Sequence, residues 1–350
     1  MKTLKSVEEI GINLSVILRL DTDLPMDDGQ ILDNSRLKKS IPTIRYLLDK
    51  GNKMIIIGHL GRPSGYDEKL SLKPVYLELM SLLEIDGQNI IESVFVDNIK
   101  DESKIGTAIE NNQIVFVENL RFWEEEESGN TNIFLGIKKY ASVFVNDAFA
   151  VAHRKSASVI IHREMKTYYG FSFVEEVEMI SRILEKKEKP ITVILGGAKE
   201  DKLKYLEELE KIADYILVGG KLPKLIQNPS PDKSGPPLDE REAKIVVAKL
   251  KDDGLDLSDE DIDKFVEIIN RSKTIIWTGA MGFYEDKNCR VGTEKIAMAV
   301  ANLDGYKIVA GGDTGASIKN LGLKNKIDFI CSGGGVMLEF LIKGSLPAWN

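Results

Sequence analysis

Residues 174–202 read VEEVEMISRILEKKEKPITVILGGAKEDK, and the fold is decided here. Val174, Val177, Ile180, Ile183 and Leu184 recur at helical spacing and give one apolar face. Glu175, Glu176 and Glu178 stand near the expected helix start. Lys186, Lys187 and Lys189 stand near its end, an order that suits the helix dipole. Pro190 stops the helix. Residues 191–195 are an unbroken apolar run, as in a strand buried on both faces of a parallel sheet. Gly196, Gly197 and Lys199 follow at the strand's carboxyl end, where open α/β sheets bind ligands. An ordinary helix, strand and tight turn would read the same in isolation. What surrounds the stretch is asymmetric: arginine-rich turns precede it and glycine-rich turns follow it. It therefore reads as a connector between two binding halves.

Working outward, short apolar runs fall at residues 16–20, 54–57, 114–117 and 143–145 before the connector. After it they fall at 191–195, 215–218, 245–247, 274–277, 308–310 and 329–330. Helical patterns alternate with them. Residues 36–50 carry Ile41, Ile44, Leu47 and Leu48 on one face, with Gly51 as the C′ residue, and residues 72–83 repeat that type of pattern. Alternation of strand and helix predicts βαβ units and parallel sheets. Many runs end in a polar or glycine turn, and in a parallel sheet all those turns emerge at one edge. Residues 227–237, QNPSPDKSGPP, hold four of eleven prolines and read as an exposed loop. Residues 255–263 are acidic and read as a solvated helix surface. VGGKLPKLI, from Val218, shows no helix pattern after its glycines.

At 350 residues the chain is long enough for two domains, because single cores stop growing at roughly 250–300 residues. Its 43% hydrophobic and 29% charged composition is that of a globular protein. A net charge of -8 argues against a general nucleic-acid or membrane-surface binder. Cys289 and Cys331 form no CxxC pair and imply no disulfide framework, which fits a reducing cytoplasm. The start MKTLKSVEEIG lacks an apolar core and does not read as a signal peptide. No run approaches the ~20 apolar residues of a membrane span.

The first half places Arg19 and Asp21 after one strand, Arg36 at a helix start, and His59 and Arg62 in GHLGRP. Arg121 lies in ENLRF, and His153 and Arg154 in NDAFAVAHR. Guanidinium forks match phosphate and carboxylate geometry. Such a cluster predicts a small, multiply anionic substrate. No aromatic stacking series accompanies it, which disfavours a nucleic-acid groove. In the second half GGAK, GGDT and SGGG put bare backbone at strand-to-helix turns. Phosphate can approach amides there, although tight helix–strand packing explains each GG equally well. Asp313 follows Gly311 and Gly312 and suits Mg²⁺, which takes one or two carboxylates plus phosphates. No GxxxxGK[ST] pattern occurs and no GxGxxG opens a strand–helix turn, which disfavours a P-loop NTPase and a standard dinucleotide-binding fold.

Taken together, the motifs resemble the phosphoglycerate kinase family over residues 19–347. RLDTDLP is similar to that family's RVDFNVP. GHLGRP, ENLRF, NDAFAVAHR, LGGAK, IIWTGAMGFYE, GGDT and SGGGVMLEFL follow in the family's order. The resemblance implies an α/β protein with two doubly wound parallel-sheet (Rossmann-like) domains, a long joining helix and a cleft between them. Residues 1–173 would bind 3-phosphoglycerate and 174–189 would be the interdomain helix. Residues 190–340 would bind nucleotide, and 341–350 would return towards the first domain. It implies transfer of the γ-phosphoryl of ATP to the carboxylate of 3-phosphoglycerate, with Mg²⁺, in a cytoplasmic monomer. Asp21, Asp23, Arg36, His59, Arg62, Arg121 and Arg154 would hold 3-phosphoglycerate. Arg36, Lys199 and Lys202 would serve the transferring group. Gly197, Ala198, Lys199 and Lys202 would face the nucleotide phosphates. Gly279, Met281, Phe283 and Glu285 would line the adenosine pocket. Gly312, Asp313 and Thr314 would place the Mg²⁺-nucleotide, with Asp313 on the metal, and Gly333, Gly334 and Gly335 would open the phosphate-facing helix.

The chain also departs from that pattern. Asp23 stands where the family has asparagine, and a second carboxylate beside Asp21 repels an anion. Thr22 replaces an aromatic. GGAKEDK is one residue shorter than GGAKVSDK, which rotates Lys202 away from Lys199 on an α-helix unless the turn adjusts. Ser156, Lys221, Thr278, Ala280 and Ala310 replace a histidine, a glycine, an asparagine, a proline and a glycine. Two rivals to the active kinase follow: a silent homologue that binds phosphorylated ligands as a sensor or scaffold, and a kinase for another phosphorylated acid.

Overall fold

The computed structural model describes residues 4–84, 91–186, 188–227 and 243–349. They divide into two compact units: Met1–Val177 with Ser345–Asn350, and Glu178–Gly344. Each is built on one six-stranded sheet, and every strand pair in both is parallel. The expected α/β architecture with two parallel sheets is what the chain forms.

In the first unit the strands are β1 (Ser15–Arg19), β4 (Lys53–Ile57), β5 (Ser93–Val96), β6 (Ile114–Val117), β7 (Val143–Asn146) and β8 (Lys166–Tyr169). A two-stranded hairpin, β2 (Met26–Asp27) with β3 (Gln30–Ile31), lies outside the sheet. The sheet order is β5-β6-β4-β1-β7-β8. Successive side chains of a strand point to opposite faces. Val16, Leu18, Met54, Ile56 and Phe116 accordingly join one buried cluster, and Ile17, Ile55, Ile57, Val115 and Phe144 join another. Both faces are covered, which is why these strands read as unbroken apolar runs. The helix Ser35–Asp49 buries Leu37, Ile44 and Leu47, and Gly51 beyond its end has φ +69° as its C′ position requires.

The second unit contains β9 (Ile191–Leu195), β10 (Tyr215–Val218), β11 (Lys244–Val247), β12 (Thr274–Thr278), β13 (Tyr306–Ala310) and β14 (Phe329–Cys331). Their order is β11-β10-β9-β12-β13-β14, the doubly wound arrangement whose strand order reverses between the first and fourth strands. Ile194, Leu217, Val246, Ile275, Trp277 and Val309 meet in one buried cluster on this sheet.

Several expectations need correcting. The connecting helix runs Phe171–Lys186, starting before Val174, and no carboxylate lies in its first turn. Glu176 is not a surface partner for the helix dipole: it is buried, with Lys39 Nζ at 3.4 Å. Lys187 lies outside the described residues, as do 228–237 of the proline-rich loop, and Lys189 lies beyond the helix. A helix does follow VGG, at Leu222–Gln227. The acidic stretch is not wholly solvated. Asp256 and Asp261 are buried, and Asp261 Oδ2 accepts from the Lys249 amide at 2.7 Å. Strands β5 and β8 and the hairpin escaped the sequence reading, since the two strands lie at the sheet edges and carry half-exposed polar positions.

Candidate functional site

In the first unit the candidates stand at the carboxyl ends of β1, β4, β6 and β7, with Arg36 at the start of the helix Ser35–Asp49. Arg19 closes β1 and is 1% exposed. Its Nη2 meets His59 Nδ1 at 2.7 Å, Nη1 donates to the Leu20 carbonyl, and Nε donates to Ser158 Oγ at 3.1 Å. Ser158 in turn gives its hydroxyl and amide to the buried Glu126 carboxylate, at 2.5 and 2.9 Å. Burial lowers the Arg19 pKa against the pull of Glu126, Asp21 and Asp23. A guanidinium only donates, so His59 Nδ1 must accept and the imidazole proton sits on Nε2. Burial, and then Arg19, Arg121, Arg154 and Arg36, push His59 well below 6.5. The ring is therefore neutral at physiological pH and presents one N–H.

The charges that act on His59 also identify the groups that converge. Arg19, Arg121, Arg154 and Arg36 all act on His59, and Arg154 and Arg19 also act on Arg121. Burial works against the Arg36 charge, but Asp21 and Asp23 outweigh it and hold the guanidinium above its ordinary value. Arg36 Nη1 lies 3.0 Å from Asp21 Oδ1. Arg121 drops to about 10, from burial first and the Arg154 charge second, and still stays charged at neutral pH. It donates to the Gly61 carbonyl and has Glu127 at 3.5 Å. Asp21 Oδ2 and Arg154 Nε are buried with no hydrogen-bond partner among the described residues. Arg62 is exposed on the same turn as His59.

Asp23 is not turned away. Its Oδ1 accepts from the Gly61 amide at 2.9 Å and its Oδ2 lies 3.9 Å from His59 Nε2. Thr22 pins the end of β1 to the end of β4, its hydroxyl giving to the His59 carbonyl and taking from the His59 amide, both at 2.8 Å. Asn119 is the equivalent support for Arg121. Its Oδ1 accepts from the Leu60 and Arg121 amides and its Nδ2 donates to the Leu60 and Leu70 carbonyls. Thr22, Asn119, Glu126 and Ser158 were absent from the sequence candidates. Only their position beside RLD, ENLRF and AHR could have signalled them.

In the second unit three turns are zipped by backbone. Gly196 N donates to the Thr278 carbonyl, Gly197 N to Ala280, Gly220 N to Met281 and Lys221 N to Gly197. A Cβ on Gly279 would lie 2.1 Å from the Gly196 oxygen, and one on Gly220 would lie 2.5 Å from the Gly197 nitrogen. These glycines serve close packing. Gly312 and Gly335, by contrast, would carry a Cβ into open space at the starts of the helices Gly312–Asn320 and Gly334–Lys343. Bare amides there suit an anion. Gly334 packs on Thr278 Oγ1, and Gly333 is the N-cap. Thr314 is buried, its Oγ1 taking the Gly279 amide at 2.7 Å.

The shortened lysine turn adjusts. Glu200–Tyr205 is a 3-10 helix with Lys199 as its N-cap. At three residues per turn, positions 199 and 202 share a side. Lys199 and Ala198 are exposed. Lys202 turns inward and donates to the Gly196 and Thr278 carbonyls at 2.8 and 3.3 Å. Burial brings it down to about 8, against the opposing pull of Asp201 and Asp313. Met281 is buried while Phe283 and Glu285 are exposed. Asp313 is an exposed carboxylate in a helix first turn, and no cluster of three or more metal-type ligands occurs among the described residues. One hard oxygen donor beside bare amides fits a cation shared with phosphates, not an all-protein cage.

The phosphoglycerate kinase family model matches residues 12–241 and 232–344. The phosphoglycerate kinase of Dictyoglomus turgidum is 33% identical over 375 residues, covering 95% of this chain and 93% of the relative. One from Thermus thermophilus is 31% identical over 389 residues, covering 99% and 98%. Among solved structures, the Pyrococcus horikoshii phosphoglycerate kinase aligns with a TM-score of 0.83 at 28% identity, covering 99% and 97%. The Coxiella burnetii phosphoglycerate kinase gives 0.77 at 26%, covering 99% and 98%. Near-complete coverage by these kinases favours an enzyme over a sensor or scaffold. The chain belongs to the phosphoglycerate kinase family and is a phosphotransferase of glycolysis.

Proposed function

We propose that the unit containing β1 holds 3-phosphoglycerate and the unit containing β9 holds ATP with Mg²⁺, in a cytoplasmic, monomeric enzyme. The observation that carries the first assignment is the convergence of Arg36, His59, Arg121 and Arg154 on one sheet edge. Arg121 and Arg154 grip the 3-phosphate, with Arg62 on the rim. The His59 Nε2–H donates to the substrate, and Asp21 and Asp23 fix Arg36 and the Gly61 turn. The acceptor is a carboxylate, ionised at neutral pH, so no general base is needed. Its oxygen attacks the γ-phosphorus in line, the bond to the β-phosphate oxygen breaks, and the products are 1,3-bisphosphoglycerate and ADP.

Catalysis is then positioning and neutralisation of the anionic transition state. Arg36 serves the acceptor side, and Lys199 the transferring group. The amides that open the helices Gly312–Asn320 and Gly334–Lys343 receive nucleotide oxygens, and Asp313 would hold Mg²⁺. The metal, when bound, supplies charge neutralisation across the phosphate oxygens. Gly197, Ala198 and Lys202 line the phosphate side. Gly279, Met281, Phe283 and Glu285 form the nucleoside side, with Thr314 bracing Gly279. An assay coupling 1,3-bisphosphoglycerate to a dehydrogenase tests the assignment. Turnover that survives Arg36→Ala and Lys199→Ala at the wild-type kcat would overturn it.

A further inference from the structure

The nucleoside side carries a cation that the mechanism does not use. Lys224 lies on the helix Leu222–Gln227, which begins directly after the zipped turn at Gly220. Its ammonium rests against Gly254, where a Cβ would stand 2.0 Å from Nζ. Gly254 has φ +66° and makes the turn that presents Leu255. The Leu255 carbonyl takes the Phe283 amide at 2.7 Å. Leu255 is 37% and Phe283 44% exposed, so two apolar residues joined through their backbones stand partly in solvent. Met281, two residues before Phe283, is fully buried, with its sulfur against Gly219. Apolar walls of this size suit a planar base. The nearest carboxylate in sequence, Asp253, is turned onto the Leu255 amide at 2.9 Å. Among the described residues no carboxylate pairs with Lys224.

A lysine ammonium donates and cannot accept. A purine with an amino group at position 6 offers that edge a donor beside N7, whereas a 6-oxopurine offers two acceptors, O6 and N7. We infer that Lys224, seated on Gly254 at the rim of the Leu255–Phe283 walls, raises the use of 6-oxopurine nucleotides relative to ATP. This deepens the nucleoside-site assignment made above and rests on it.

The test compares kcat/KM for MgATP, MgGTP and MgITP in the wild type, Lys224→Met and Lys224→Arg. The expected result is a GTP-to-ATP ratio lowered about fivefold in Lys224→Met, the low end for a base-edge contact because the lysine is exposed. ITP should follow GTP, since it shares O6 and N7, and Lys224→Arg should keep the wild-type ratio. An unchanged ratio in Lys224→Met overturns the inference, as does a response of GTP that ITP does not share. Phe283→Ala separates the two levels. If it leaves the KM of every nucleotide unchanged, the nucleoside site itself is misassigned and the inference falls with it. If it raises them all while Lys224→Met leaves the ratio alone, only the role of Lys224 falls. Wild-type calorimetry with IDP and ADP gives an independent reading. Comparable affinities are expected, and an advantage for ADP above about tenfold overturns the inference.

Discussion

The two units carry their candidate ligand groups at the same edge of the same kind of sheet, yet by opposite means. The unit containing β1 uses buried side-chain charge. Arg19, Glu126, Ser158 and His59 form a connected chain in which a guanidinium, a carboxylate and a neutral imidazole hold one another. The unit containing β9 uses absence: glycine turns lie backbone on backbone, and open amides stand at two helix starts. Buried charge positions well but depends on every partner, because removing one leaves an uncompensated ion. Bare backbone needs no partner but tolerates no Cβ where two turns touch. The first device is fragile in stability, the second in shape.

The largest effect should come from breaking the buried chain. Arg19→Ala leaves Glu126 beside Ser158 without its cation and should cost about 3–5 kcal/mol of stability, read as a lowered melting temperature and denaturant midpoint. Lys199→Ala, at an exposed site, should leave both unchanged. A melting loss in Lys199→Ala equal to that of Arg19→Ala would erase the contrast. On activity the order reverses. Arg36→Ala and Lys199→Ala should each lower kcat by roughly 10²–10³-fold, the usual cost of one transition-state donor.

Glycine variants sharpen the second device. Gly279→Ala puts a methyl into the Gly196 carbonyl and imposes φ +95° on a residue with a side chain, so it should lower the melting temperature. Gly312→Ala meets open space and should leave melting unchanged while raising the KM for nucleotide several-fold, because the methyl crowds an amide-lined anion site. Equal melting losses in the two variants would contradict the distinction between packed and open glycines.

A pH experiment separates the units again. Asp147 is buried in the unit containing β1, accepts from the Phe173 amide, and is pushed up to about 7 by burial. A carboxyl whose folded pKa lies above 3.8 contributes fully below about pH 4, and that contribution is lost as pH rises towards 7. Asp147→Asn should therefore gain on the wild type in melting temperature between pH 5 and 8. A difference independent of pH would refute the shift. The smallest effect belongs to Asp23→Asn, which keeps an acceptor for the Gly61 amide and removes a half-exposed charge. The KM for 3-phosphoglycerate should fall about threefold, most clearly at low salt. No change at any salt would mean the charge is not felt by the substrate.

How much of this was legible followed from where partners lie. Strands buried on both faces announce themselves as apolar runs, so β1, β4, β6 and β9 could be read directly. Strands β5 and β8 have half-exposed edges and no such run. Candidate ligand groups sit in short turns after strands or at helix starts, which is why Arg36, His59, Arg121 and Asp313 stood out. Groups that hold those groups are defined by contacts far along the chain. Ser158 reaches Arg19 across 139 residues, and Asn119 reaches Leu60 across 59. No local pattern encodes such a meeting. Asp256 failed differently: an aspartate in an acidic run looks solvated until the Gly292 amide is found 3.0 Å from it.

The 3-10 turn Glu200–Tyr205 has a consequence beyond alignment. Its hydrogen bonds are poorer in geometry than an α-helical ladder, and none of its residues is fully buried. Segments of that kind open first in local unfolding. Amide hydrogen exchange should find residues 200–205 among the least protected of the unit containing β9, and their opening would free Lys202 from the Gly196 and Thr278 carbonyls. The turn would then act as a latch whose release is a local event, independent of the sheet behind it.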